Sequence, residues 1–166
     1  MQRTIICILI AGLTAGYNTI NSQSVSIKES IDSINALLKA NPYVDGFNNI
    51  EFYNSVNISP EKELVVEMSF DGPFRWVYRV RISELDLSPK NDICSESPSS
   101  ICWICKKTAA DRVNSCIKAE MIFADGKSET ENASNICISF SRRSNICNDL
   151  NNRFILLFEQ VMNDDR

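Results

Sequence analysis

The spacing of apolar residues first follows a helical period. From Ile27 to Leu38 apolar side chains recur every three or four residues, which places them on one face of a helix. Ser26 and Glu29 have the spacing of a capping box, and Pro42 follows where the pattern stops. The sequence therefore predicts an amphipathic helix that begins after Ser26 and ends before Pro42.

The pattern then changes to alternation, which predicts β-strands. Apolar side chains recur at alternate positions in the segments 50–58, 63–70, 76–82, 115–123 and 135–140. A turn through Gly72 joins the second and third of these segments. Opposing Phe70 to Trp76 across that turn places both apolar sets on one face, with Glu67 across from Arg79.

A second helical stripe occupies residues 145–163, and Ser144 or Asn145 is placed to cap it. Helix, strands, loop, strands and helix in this order predict an α+β fold built on an antiparallel sheet. In element order alone the chain resembles the pleckstrin-homology-like roll, in which a long C-terminal helix closes one end of a small barrel. The N-terminal helix departs from that roll. A curved open sheet with both helices on one face, as in cystatin-like folds, is the alternative.

The first residues predict export. Arg3 precedes an apolar run from Thr4 to about Gly16. The run is too short for a bilayer core, which requires about 20 residues, but it is typical of a secretory signal. We expect a signal peptide over 1–22 and a single α+β domain over 23–166, located outside the cell or in the periplasm. An N-terminal anchor that is never cleaved is the alternative.

Export determines how the cysteines are interpreted. Cys7 lies in the predicted signal, and six of the seven cysteines remain: Cys94, Cys102, Cys105, Cys116, Cys137 and Cys147. In an oxidising compartment an even set of this kind is typical of a disulfide framework. The chain has no histidine, the usual general base at neutral pH and a common zinc ligand. We therefore expect disulfides, no metal and no cofactor.

The turn near Gly126 suggests the first disulfide. With Gly126 and Lys127 as its central pair, Cys116 would lie opposite Cys137 on the neighbouring strand. Directly opposed side chains on one face are close enough for a disulfide. We therefore predict a bond between Cys116 and Cys137.

The segment CWICKK contains the other close pair of cysteines. A bond from Cys94 to Cys102 would close the segment SESPSSI at the end of the polar stretch 88–100, and Cys147 would then bond to whichever of Cys102 and Cys105 remains. If the segment is extended, Cys102 and Cys105 lie on opposite faces and each requires another partner. The alternative is a redox-active dithiol formed by these two cysteines.

The segment FRWVYRVR separates aromatic from basic side chains. Trp76 and Tyr78 face one side of a strand, whereas Arg75, Arg79 and Arg81 face the other. The pattern predicts core aromatics and a solvated outer face, and an anion or partner site centred on the three arginines is the alternative. The formal net charge of −4 argues against a nucleic-acid partner.

Three classes of function remain open. One is a thiol-disulfide oxidoreductase that uses Cys102 and Cys105. Another is a carboxylate hydrolase, although the spacing of its carboxylates singles out no acid/base pair: Asp45, Glu51, Glu67 and Asp71. The function that we predict is a secreted or periplasmic, non-enzymatic binding or adaptor domain. Its partner would be an unknown protein or small molecule, and no membrane span would remain after signal removal.

Overall fold

The computed structural model describes residues 26–87, 94, 99–107, 115–142 and 145–164. The elements whose bounds lie within these residues are two α-helices, one short 3-10 helix (Ile82–Glu84) and eight strands. The α-helices are α1 (Ile27–Ala40) and α2 (Cys147–Asn163). The strands are β1 (Tyr43–Val44), β2 (Glu51–Ile58), β3 (Glu63–Phe70), β4 (Phe74–Arg81), β5 (Ser100–Ile104), β6 (Ile117–Phe123), β7 (Ser128–Ala133) and β8 (Asn135–Ser139). The predicted signal 1–22 and most of the predicted loop 88–100 lie outside the described residues.

The larger sheet is antiparallel and has the order β1-β2-β3-β4-β6-β7, and β5 pairs with β8 in a second sheet. The α+β prediction is therefore confirmed. Since β1 and β7 stand at opposite ends of the order among the described strands, this sheet is open. It corresponds to the open-sheet alternative rather than to a closed barrel. Within the described part of the chain, no helix is both long and apolar enough to cross a membrane.

Both helices have the predicted features, with one difference at the start of α2. Glu29 N–H donates to Ser26 Oγ at 3.2 Å and Ser26 N–H donates to the Glu29 carboxylate at 2.8 Å, which completes the predicted capping box. The second helix begins at Cys147, and Ile146 occupies the N-cap position without a side-chain hydrogen bond. Ser30 Oγ donates to Gln160 Oε1 at 2.8 Å, so the two helices contact each other.

The core lies between the helices and one face of the larger sheet, which we call the inner face. That face contributes Val56, Leu64, Val66, Val80 and Ile117, all of them buried. The smaller sheet enters the same core, because the ring of Trp103 lies 4.8 Å from that of Phe154 and 5.4 Å from that of Phe158 on α2. The small sheet and the C-terminal helix therefore share one apolar cluster.

The hairpin of β3 and β4 is tighter than predicted. Met68, rather than Phe70, lies opposite Trp76, and Glu67 lies opposite Val77 instead of Arg79. The loop contains only three residues, and Gly72 N–H donates to Phe70 O at 2.8 Å. A Cβ at position 72 would lie 1.9 Å from the Phe70 ring, so this close approach requires glycine. The register shift of two residues leaves the predicted faces unchanged.

The strand after β6 also differs from the prediction. Phe123 N–H donates to Lys127 O at 2.9 Å, and Gly126 has φ of +84°. The turn therefore lies earlier in the sequence than the predicted one, which had Gly126 and Lys127 as its central pair. Residues 128–133 then form β7, which pairs with β6. The chain changes sheets at Ser134, after which β8 pairs with β5. The predicted pairing of 115–123 with 135–140 is therefore wrong.

A side chain of α1 covers part of the edge of β2. Asn35 Nδ2 donates to Val56 O at 2.9 Å, and Val56 N–H donates to Asn35 Oδ1 at 2.8 Å. The short β1 pairs with β2 only at Glu51 and Phe52. The amide of Asn35 presents the same donor and acceptor as a neighbouring strand would. It therefore satisfies the backbone N–H and C=O of Val56, which lie beyond the end of β1.

Candidate functional site: the cysteines, the arginine face and an aromatic surface

The three disulfides have a different connectivity from the predicted one. Cys102 and Cys137 are directly opposed in the register of β5 and β8, with Cα atoms 4.1 Å apart. The prediction of a Cys116–Cys137 bond is therefore wrong, because Cys137 lies on the strand that pairs with β5 rather than with β6. Cys116 bonds to Cys105 instead, with Cα atoms 5.8 Å apart.

The third disulfide joins Cys94 to Cys147 at the start of α2, with Cα atoms 5.7 Å apart. The predicted Cys94–Cys102 bond is wrong, and so is a bond from Cys147 to Cys102 or Cys105. The physical reason is the orientation of β5. Its Cys102 faces outward and lies directly opposite Cys137 on β8, to which it bonds. The bond to Cys147 fixes residue 94 to the C-terminal helix.

The extended conformation of β5 decides the interpretation of CWICKK. Cys102 faces outward, whereas Cys105 is fully buried and its Sγ accepts a hydrogen bond from Cys116 N–H at 3.0 Å. The two cysteines therefore bond to different partners, as expected for an extended segment. A redox-active dithiol requires a bond between the two, so this geometry does not support the oxidoreductase alternative. Within the described ranges, no three cysteine, aspartate or glutamate side chains gather as metal ligands would.

The predicted arginine site is divided in two by the structure. Arg75 donates to Glu67 at 3.1 Å. Val77, which is buried, separates Arg75 from Arg79 along β4. Arg79 and Arg81 line an open depression of about 410 Å³, together with Glu63, Glu84 and Lys118 among others. Carboxylates therefore alternate with the basic groups on this outer face, which weakens its attraction for an anion.

A larger apolar feature lies on the inner face, where the side chains are only partly buried. We call it the aromatic surface. It consists of Tyr43, Phe52, Met68, Phe70, Phe74, Trp76, Tyr78, Met121 and Phe123, and each of these side chains is only partly buried. Each aromatic ring of the surface lies next to another one, and the centroids of neighbouring rings are 4.9 to 6.4 Å apart. They therefore form one continuous patch across five strands.

Trp76 and Tyr78 form the part of the aromatic surface nearest to the core. Their rings are stacked, with centroids 6.1 Å apart and an angle of 21° between planes. Burial raises the pKa of the Tyr78 phenol above its ordinary value, and the negative charge of Glu131 raises it further. Glu131 thus acts electrostatically on this end of the aromatic surface.

Alternation placed Trp76 and Tyr78 on the face of the core, and the structure shows that both rings are only partly buried there, with Tyr78 packed against the core. The sequence contained one signal of this. Phe70 and Phe74 flank the turn at Gly72, and Phe123 directly precedes the turn between β6 and β7. The aromatic residues therefore cluster at one end of the sheet. Comparison of the chain with protein-family models, with curated proteins and with solved structures finds no match.

Proposed function

We propose that the protein is an exported binding module without chemistry of its own, and that it binds its partner through the aromatic surface. The observation that supports this is the continuity of the patch: aromatic and methionine side chains extend across five strands and stay partly exposed. Exposed contiguous apolar patches typically mark interaction sites. Methionine adapts to differently shaped partners, and aromatic residues are enriched at the centres of interfaces.

Export is supported by the disulfides. The described cysteines form three bonds, which fit an oxidising compartment such as the extracellular space or the periplasm. The proposed signal over 1–22 would deliver the domain 23–166 to such a compartment.

Three of the four carboxylates considered for a hydrolase have structural partners instead. Asp45 accepts a hydrogen bond from Asn48 N–H at 3.1 Å within a turn. Glu51 accepts one from the hydroxyl of Tyr53, and Glu67 is paired with Arg75. Because these groups already bind their neighbours, they give less support to acid/base chemistry than the aromatic surface gives to binding.

A first experiment tests whether the surface is open in solution. The chain has two tryptophans. Trp103 retains 6% of its accessible surface, whereas Trp76 is partly exposed. In a Trp103→Phe variant, the remaining Trp76 should be quenched by acrylamide; in a Trp76→Phe variant, the remaining Trp103 should be protected. Equal protection of both tryptophans would contradict an open aromatic surface.

A second experiment tests binding. Random peptides displayed on phage are selected against the purified oxidised domain, and the enriched peptides are tested on two variants. Trp76→Ala removes a central ring of the surface, and Arg79→Ala is the matched control on the opposite face of the same strand. We expect binding to be lost in the first and kept in the second, provided that both variants unfold cooperatively. Absence of enriched peptides, or loss of binding only in Arg79→Ala, would contradict the proposed function.

A further inference from the structure

The two faces of the six-stranded sheet carry different charges. In its described strands the arginines at 75, 79 and 81 and the lysine at 118 all point to the outer face. The charged side chains at inner-face positions of these strands are Glu129 and Glu131, both on β7. The aromatic surface therefore has an acidic border, and the inner-face positions of the described strands carry no basic residue.

The register brings this border next to the stacked rings. Tyr78 lies opposite Ala119, and Ala119 lies opposite Glu131, so the three residues form one line across the strands. In the neighbouring line, Trp76 lies opposite Met121, which lies opposite Glu129. Neighbouring strands are about 4.8 Å apart. In each line the aromatic residue and the glutamate are separated by two such spacings, because one strand lies between them.

Ala119 makes this arrangement suitable for a cation. Its side chain is a single methyl group, which adds little height between Tyr78 and Glu131, and its full burial shows that neighbouring groups pack closely around it. A partner side chain that lies over this line of residues would meet the partly exposed ring of Tyr78 on one side and the exposed carboxylate of Glu131 on the other. Guanidinium and ammonium groups bind both partners, through cation–π contact and through a charge-assisted hydrogen bond.

We propose that the partner is a polypeptide segment that combines apolar side chains with an arginine or lysine. Its apolar residues cover the aromatic surface, and its basic group lies over Trp76 and Tyr78 beside Glu129 and Glu131. This inference depends on the proposed function and names its partner.

The dimensions and the charge favour this occupant. The patch extends over five strands, about 19 Å at ordinary strand spacing, and each of its side chains keeps part of its surface accessible. Small-molecule sites are typically enclosed cavities, whereas an extended segment can follow an open surface. A second copy of the same face, an anionic membrane or a nucleic acid would each bring negative charge against the acidic border.

The test uses the peptides selected on the aromatic surface. Glu129→Gln with Glu131→Gln removes both inner-face charges while keeping the side-chain shape, and both residues are exposed. Glu63→Gln with Glu120→Gln is the matched control, because it removes the same charge from the outer face. We expect enriched peptides to contain arginine or lysine, the inner variant to weaken their binding about tenfold, and the control to change it less than about twofold. Replacing the basic residue of a peptide by glutamine should weaken its binding to the wild-type domain by a similar factor.

The outcomes separate this inference from the proposed function. Peptides that require Trp76 but contain no basic residue, or that bind the inner variant as tightly as the wild type, would overturn the basic partner and leave the binding module intact. Equal weakening by the inner and outer variants would also overturn it, because the effect would then follow net charge alone. If no peptide requires Trp76, the proposed function fails and this inference fails with it.

Discussion

Cys102 and Cys137 face each other directly across the two strands of the smaller sheet, with Cα atoms 4.1 Å apart. The bond links two segments that are 35 residues apart in the sequence. On the opposite side of the same strands, Trp103 packs on the C-terminal helix. The disulfide therefore holds together the outer side of a sheet whose inner side belongs to the core.

Removing this disulfide should destabilise the fold through the lost cross-link. Both cysteines point away from the core, so Cys102→Ala with Cys137→Ala leaves no internal cavity. For a separation of 35 residues, the chain-entropy model gives a loss of about 4 kcal/mol in the free energy of unfolding. Denaturant unfolding followed by circular dichroism measures it, with exposed Asn135→Ala on β8 as the control. A loss below about 1 kcal/mol would contradict this role of the disulfide.

Asn35 should contribute more to stability than an ordinary residue of α1. In Asn35→Ala the backbone N–H and C=O of Val56 lose both of their side-chain partners. A partly buried backbone group without a partner costs about 1 to 3 kcal/mol, and we expect a loss in this range. The control Lys39→Ala changes an exposed residue of the same helix and should alter the free energy of unfolding by less than about 0.5 kcal/mol. Equal effects of the two variants would show that the amide does not protect the edge of β2.

Tyr78 should make stability fall at alkaline pH. Its pKa is raised in the folded state, by burial first and by Glu131 second, so folding favours the protonated phenol. The contribution is complete below the unfolded tyrosine pKa of about 10 and is lost as pH rises through the folded pKa. The free energy of unfolding should therefore fall less steeply above about pH 10 in Tyr78→Phe than in the wild type.

The ultraviolet titration of tyrosinate provides a second measurement of the same group. Subtracting the Tyr78→Phe curve from the wild-type curve should leave one phenol that ionises above the ordinary range. Glu131→Gln should lower the pKa of that phenol only in part, since burial is the larger cause. A difference curve centred at the ordinary tyrosine pKa would contradict the burial of this ring.

The helices and the faces of the strands were predictable because they depend on local periods. The capping box of Ser26 and Glu29 and the stop at Pro42 define α1 without any tertiary information. Trp76 and Tyr78 are on the predicted face even though the register moved, because the shift was an even number of residues.

The disulfide partners were not predictable from the same periods. Residues 128–133 are almost entirely polar, so alternation gave no sign of β7 at the edge of the sheet. Without β7, the strand that carries Cys137 was paired with β6, which made Cys116 its partner. Opposed cysteines on neighbouring strands do bond, as the argument assumed, but the neighbour of Cys137 is β5.

The candidate site was predictable only in part. Alternation shows which residues share a face, but the extent to which helices cover that face depends on long-range packing. Phe52 and Phe70 therefore had the same pattern as buried Val56 and Leu64, although the former two are partly exposed. The division of Arg75 from Arg79 was hidden for the same reason, since the burial of Val77 depends on neighbouring strands.

The two cysteines of CWICKK brace the fold through two separate bonds, and a disulfide map of the protein measures both of them. The mature protein is alkylated without reduction, digested, and analysed by mass spectrometry. We expect Cys94 linked to Cys147, Cys102 to Cys137 and Cys105 to Cys116, with none of the six alkylated. A peptide in which Cys102 is linked to Cys105, or complete alkylation of the six as free thiols, would contradict this expectation.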